Sequence, residues 1–188
     1  MNDQKTNKHV LVVFAEGFEE IEALVPVDIL RRAGIDVTMA GVGSNTIEGS
    51  HGIKVSCDLL IEDAGTDYDA IVLPGGGVGA KNLAASWDVN EKMLIIANNG
   101  AIVAAICASP AVVLYPTGLL EGHKAVCYPG MEEHCPNFTF GTERVCVDGN
   151  VITARAAGCA LEFSLAIVEA LAGRATKETV AASILFKE

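Results

Sequence analysis

Basic residues are scarce in this chain: 13 Lys and Arg stand against 24 Asp and Glu, a formal charge of −11 over 188 residues. Non-specific nucleic-acid binding needs a basic footprint, so that class of partner is excluded. Long apolar runs are missing as well. Although 51% of residues are hydrophobic, no stretch of about 18 apolar residues runs uninterrupted. The longest candidate, Ala97 to Tyr115, is broken by Asn98-Asn99-Gly100 and by Ser109-Pro110. No membrane span is expected. The six cysteines (Cys57, Cys107, Cys127, Cys135, Cys146 and Cys159) form no C-x-x-C pair. The start, Met1 to Lys8, is polar, so no secretory signal is expected. Reduced thiols in a cytoplasmic protein are therefore expected, not a disulfide framework. Repeats, linkers and low-complexity segments are lacking too, and the length suits a single domain over residues 1–188.

What is present is an alternation of short β-like and helical runs. The pattern predicts strands over His9–Ala15, Asp36–Val42, Lys54–Asp58, Tyr68–Leu73, Ala101–Ile106, Lys124–Tyr128, Arg144–Val147 and Val151–Ala154. It predicts helices over Phe18–Ala33, Asp88–Asn98, Ser109–Tyr115, Gly158–Ala172 and Thr176–Phe186. Gly43–Gly52 and Cys135–Thr142 read as exposed loops or small hairpins. Strands apolar on both faces and separated by helices mean a mostly parallel sheet covered on both sides, an α/β sandwich. Ligands in such folds bind at the carboxyl ends of the strands. Glu16-Gly17, Pro74-Gly75-Gly76-Gly77 and Cys107-Ala108 fall on that edge.

Cys107 ends the run Ala101–Ile106 and is followed at once by Ala108-Ser109-Pro110. A strand that stops at a thiol and turns into a helix exposes the sulfur to free N–H groups and to the positive helix end. Both favour thiolate, so the Cys107 pKa is expected below its ordinary value. A buried, inert cysteine is the alternative. On the helix from Phe18, residues within about 60° of Glu22 are Phe18, Val25, Pro26, Ile29 and Ala33, all apolar. Glu20 points the other way, toward Arg31, and Glu19 lies near the boundary. A carboxyl on the apolar stripe is raised in pKa by desolvation, which makes it a proton donor or base poised near neutrality. A structural Glu capped by backbone groups has the same pattern.

The glycines of Leu73-Pro74-Gly75-Gly76-Gly77-Val78-Gly79 admit three readings. They could cradle a phosphate, although the P-loop and G-x-G-x-x-G patterns are not met. They could form an oxyanion hole, with the Gly76 and Ala108 N–H groups as donors facing Cys107. They could be a tight turn only. His9, His51, His123 and His134 lack metal-ligand spacing, and the neighbours His134-Cys135 cannot chelate together. No metal and no cofactor are expected.

The segments Glu16 to Glu22, Val25-Pro26-Val27-Asp28, Arg31 to Ile35, Val72 to Gly76, Ala104 to Ala108 and Glu162 to Leu171 resemble the ThiJ/PfpI superfamily. The similarity is closest to the branch of the parkinsonism-associated protein deglycase. It implies a flavodoxin-like three-layer sandwich and a homodimer. It also implies a nucleophilic, oxidation-sensitive cysteine at a nucleophile elbow. Carried onto this sequence, that cysteine is Cys107, its acid partner Glu22, and the oxyanion donors Gly76 and Ala108. Cys57 matches a second cysteine near the family's dimer contact. Two positions depart from the pattern. Tyr128 stands where the branch often has a histidine, and a phenol is a poor proton shuttle at neutral pH; with Gly75 it is a possible pocket residue. Arg155-Ala156-Ala157-Gly158 replaces the usual glycine-proline version.

The resemblance implies a cysteine-dependent stress-response protein acting on small reactive carbonyls such as methylglyoxal, or on their adducts in glycated proteins. The alternative is a redox sensor or redox-regulated chaperone that works through oxidation of Cys107. A third reading is thiazole-phosphate or nucleotide binding through Gly75–Gly77.

Overall fold

The computed structural model describes residues 6–187; the polar lead Met1–Lys5 lies outside them. In chain order the elements are β1 (His9–Phe14), α1 (Glu20–Arg32), β2 (Asp36–Gly41), β3 (Thr46–Glu48), β4 (Lys54–Ser56), β5 (Leu59–Leu60) and β6 (Ala70–Leu73). Then come α2 (Gly77–Ala85), α3 (Trp87–Asn98), β7 (Ile102–Ile106), β8 (Val145–Asp148), β9 (Val151–Ala154), α4 (Ala160–Ala172) and α5 (Arg174–Ser183). Seven strands form one sheet in the order β5-β2-β1-β6-β7-β9-β8. Every pairing in it is parallel except β8 with β9. The fold is the flavodoxin-like one. A separate hairpin pairs β3 with β4. No helix among the described residues is long and apolar enough to cross a membrane.

The alternation of side chains along a strand divides β1 between two cores. Val10, Val12 and Phe14 pack with Ile29 and Leu30 of α1 and Phe163 and Ile167 of α4. Leu11 and Val13 face the other way, onto Leu83 of α2 and Val89, Met93 and Ile96 of α3. Each such side chain withdrawn from water contributes about 2 kcal/mol. With both faces buried, β1 can sit only in the middle of the sheet. Its carboxyl end, and that of β6 and β7, are therefore fixed side by side.

Three expectations are corrected and one helix is added. The helix after β1 starts at Glu20, not Phe18, because Glu19 is extended (φ −84°, ψ 124°) and its side chain caps the Glu22 N–H at 2.8 Å. Residues 77–85 form α2, a helix that the alternation of runs did not mark. The segment expected as a helix over Ser109–Tyr115 is a wide i→i+5 turn at Pro110–Leu114, then a tight turn at Tyr115–Thr117. Pro116 lacks the N–H that would continue a regular helix there. Lys124–Tyr128 joins no ladder. Its donors go elsewhere: the Val126 N–H to Thr153 Oγ1 (2.9 Å) and the Tyr128 N–H to the Cys107 carbonyl (2.8 Å).

Candidate active site

Cys107 occupies the turn where β7 ends, with φ +64°. A non-glycine residue in that left-handed region costs roughly 1–2 kcal/mol, and only its surroundings can hold it there. They do so from both sides. The Cys107 N–H donates to the Ala154 carbonyl at 2.9 Å, and its own carbonyl accepts from Tyr128 N–H. Beneath the turn, Ser109 Oγ donates to the Pro74 carbonyl at 2.5 Å and ties β7's end to that of β6. The sulfur is thereby presented at the sheet edge, partly open to solvent.

Glu22 meets it there. The carboxyl is 1% exposed and lies on the apolar stripe of α1. It is hydrogen-bonded to the Cys107 thiol, and it accepts from the Gly75 N–H at 2.9 Å and from the Ala157 N–H. The Gly76 and Ala108 N–H groups both point to the Cys107 sulfur. Gly75 therefore serves the carboxylate, while Gly76 and Ala108 form the pair that faces the thiol. Gly76 adopts φ +92°, and a Cβ on it would lie 2.5 Å from the Gly17 carbonyl. Only glycine fits there.

Burial pushes the Glu22 carboxyl up to about 7, above its ordinary 4.5, and the charge of Glu19 adds to the rise. Bonds from Cys107, Gly75 and Ala157 oppose it. The Cys107 thiol moves opposite to the expectation of an acidified sulfur. Burial, followed by the negative charge and hydrogen bond of Glu22, pushes it up to about 12 against the two opposing amides. The residues after Cys107 form no long regular helix, so the dipole behind that expectation is missing. Below about 7 the carboxyl and thiol hold two protons and above it one, which rests on the sulfur, and the two titrate as a pair.

The residues around this centre carry further corrections. Glu20 does face away from Glu22, but it is 5% exposed rather than reaching toward Arg31. The turn between β3 and β4 covers it, and it accepts from Ser50 Oγ (3.1 Å) and His51 N–H (2.6 Å) and pairs with His51 Nδ1 (2.8 Å). Burial alone would raise that carboxyl, but the His51 and Ser50 bonds outweigh it and hold it at about 2. Arg31 bonds the Val37 carbonyl instead, at 3.1 Å. Glu19, Glu20 and His51 bring three ligand atoms within 4.8 Å of one another. Each already serves the fold, as a helix cap or as the hairpin's anchor. Tyr128 reaches Cys107 through its backbone, and its side chain is 47% exposed. Among the described residues no histidine hydrogen-bonds to Cys107 or Glu22. Ala157 escaped the sequence analysis, because a backbone donor leaves no mark in residue type; only the departure at residues 155–158 drew notice to its segment.

A family model described as DJ-1/PfpI matches residues 8–170. The chain belongs to the DJ-1/PfpI family. Among curated relatives, the Parkinson disease protein 7 homolog of Danio rerio is 38% identical over 187 residues, covering 96% of this chain and 98% of that protein. Protein DJ-1 homolog A of Arabidopsis thaliana is 45% identical over 167 residues, 88% of this chain; the match spans 43% of that longer protein. A protein of Pyrococcus abyssi named as a deglycase is 33% identical over 156 residues, 79% of this chain and 90% of its own. Among solved structures, that of oxidized DJ-1 from Toxoplasma gondii superposes with a TM-score of 0.93 at 38% identity, covering 96% of this chain and all of that one. These DJ-1 matches agree with the fold and with the resemblance of its motifs.

Proposed function

We propose that this protein is a stress-response enzyme in which Cys107 attacks small reactive carbonyls, methylglyoxal or its adducts on proteins. The observation that carries this reading is the Cys107–Glu22 hydrogen bond at a strained turn, with the carboxyl raised to about 7. A proton carrier is most effective when its pKa lies near the working pH, because it is then both a usable base and a usable acid. A relative named as a deglycase supports the same class.

Because the thiol is raised, ionisation and attack are coupled. Glu22 carboxylate takes the thiol proton as the sulfur bonds to the aldehyde carbon, and the carbonyl π pair moves to oxygen. The Gly76 and Ala108 amides are placed to receive that oxyanion. Glu22 then returns the proton to give a hemithioacetal. From methylglyoxal, the C1 proton is removed and one is delivered to C2, leaving a thioester of lactate. Water cleaves it, restoring the thiol. Carbon 1 is oxidised by two electrons and carbon 2 reduced by two, so methylglyoxal and water give lactate with no outside oxidant. Gly75 and Ala157 N–H groups hold the carboxyl in place throughout.

The test is lactate formation from methylglyoxal by wild type and Cys107→Ala. The reading requires turnover in the first and its loss in the second. Equal rates would remove it. The redox-sensor alternative draws on one observation: among the described residues no histidine hydrogen-bonds to the thiol, so none stands there as a second proton carrier for turnover. In that reading Cys107 gains oxygen and Glu22 holds the product. The protein is proposed to work as a homodimer.

A further inference from the structure

A second hollow opens on the same sheet edge, beyond the carboxyl ends of β1, β2 and β5, with a volume of about 420 Å³. Its walls combine two features. Glu16, Glu62 and Asp88 line it, and so does Trp87, whose side chain is 70% exposed at the start of α3. Ile61, fully buried, and Val42 give it an apolar side. Among the described residues none of the three carboxylates is ion-paired. One Glu16 oxygen accepts the Glu48 N–H at 3.1 Å; Glu62 and Asp88 have no side-chain partner. Lys92 of the same helix turns its ammonium onto the Ala64 carbonyl at 2.6 Å and does not line the hollow.

We propose that this hollow is a subsite for the cationic side chain of a polypeptide, an arginine or a lysine. A large exposed indole costs hydration, and its face attracts a guanidinium or ammonium within about 6 Å. Three unpaired acids beside it supply charge complementarity, in a chain that is already at −11. A point metal ion does not fit. The one group among the described residues that brings three ligand atoms within 4.8 Å is Glu19, Glu20 and His51, so the acids of this hollow are spread out. Separated carboxylates suit the broad fork of an arginine, or the stem and head of a lysine.

The subsite rests on the proposed function only for the substrate it would serve. Helix α2 starts beside Gly76 at the thiol and ends at Ala85 on the hollow's rim. Its nine residues span about 12 Å at about 1.5 Å per residue. An extended peptide covers that distance in roughly four residues. A polypeptide with a carbonyl adduct at Cys107 would thus place a residue about four positions away in the hollow.

Trp87 is the chain's single tryptophan, so its fluorescence reports occupancy directly. The experiment uses full-length Cys107→Ala, which cannot turn substrate over, titrated with N-acetyl-arginine amide and with the neutral isostere N-acetyl-citrulline amide. A saturable change with the arginine amide, absent with citrulline and weakened about tenfold or more in Glu62→Gln/Asp88→Asn, is the expected result. Equal responses to the two probes, no saturable change at millimolar concentrations, or an arginine response untouched by the double substitution would each overturn the subsite. Arginine binding without methylglyoxal turnover in wild type would sink the proposed activity and leave the subsite standing. Turnover without arginine binding would do the reverse.

Discussion

Gly75 leaves no room for a side chain between Glu22 and Cys107. Its N–H donates to Glu22 Oε2 at 2.9 Å, while a Cβ built on it would lie 2.5 Å from that oxygen and 2.6 Å from the Cys107 Cβ. The close approach of acid and thiol therefore depends on a hydrogen atom at residue 75. Gly75→Ala must push the strained turn away from α1 or expel the carboxyl from its donor. We expect a loss of about 1–3 kcal/mol in denaturant unfolding, as overpacking gives. Lactate formation should fall at least as far as in Glu22→Gln. An alanine variant with wild-type stability and turnover would show that the turn gives way without cost.

The sign of the Glu22 shift predicts how stability depends on pH. Its folded pKa of about 7 lies above the ordinary 4.5. Its contribution is therefore fully present below about pH 4.5 and is lost as pH rises through about 7. The loss is roughly 3 kcal/mol at most. Glu22→Gln keeps the shape and removes the buried charge, so it should melt higher than wild type at about pH 8.5, with the gap closing toward about pH 4.5. Thermal scans at the two pH values check this. A gap that grew on acidification would reverse the assignment.

Glu20 predicts the opposite sign. Held at about 2, it contributes stability that is present above 4.5 and lost as pH falls from there through about 2. Wild type should be more stable than Glu20→Gln at neutral pH, and the advantage should vanish near pH 2. Urea titrations at both pH values would show it, and an advantage that persisted in strong acid would place the charge elsewhere.

Much of this was legible in the sequence. The continuous apolar run of β1 marked a strand covered on both faces of a mostly parallel sheet, and the 100° spacing on α1 set Glu22 among apolar residues. The fate of Glu20 was not legible. Its burial comes from the turn at Ser50–Ile53, 30 residues away, and helical periodicity carries no information about a covering loop. The direction of the Cys107 shift was missed for a related reason. The expectation weighed local dipoles, while burial and the facing carboxylate, supplied by α1, dominate. Helix α2 was hidden because glycines 76 and 79 are required by close contacts with Gly17 and Phe18, a tertiary demand that overrides helix propensity.

Mild peroxide should oxidise Cys107 before the other five cysteines. Cys127, Cys135 and Cys159 are buried, and among the described residues no backbone donor bonds the sulfur of Cys57 or Cys146, which are partly exposed. Cys107 alone combines partial exposure with the Gly76 and Ala108 donors. A sulfinate there would accept a charge-assisted bond from protonated Glu22. Peptide mass spectrometry along a peroxide series reads the order, and Cys57 or Cys146 gaining oxygen first would contradict it.

The central claim is that Glu22 moves the proton that Cys107 chemistry needs. Lactate formation by wild type and Glu22→Gln, measured side by side from about pH 5 to 9, tests it most directly. Gln keeps the shape but cannot carry a proton. The account predicts a fall of about 10²-fold or more, as loss of a general acid–base group gives, together with loss of the inflection near 7. Equal rates, with both proteins folded, would contradict it and leave Glu22 as a structural acid.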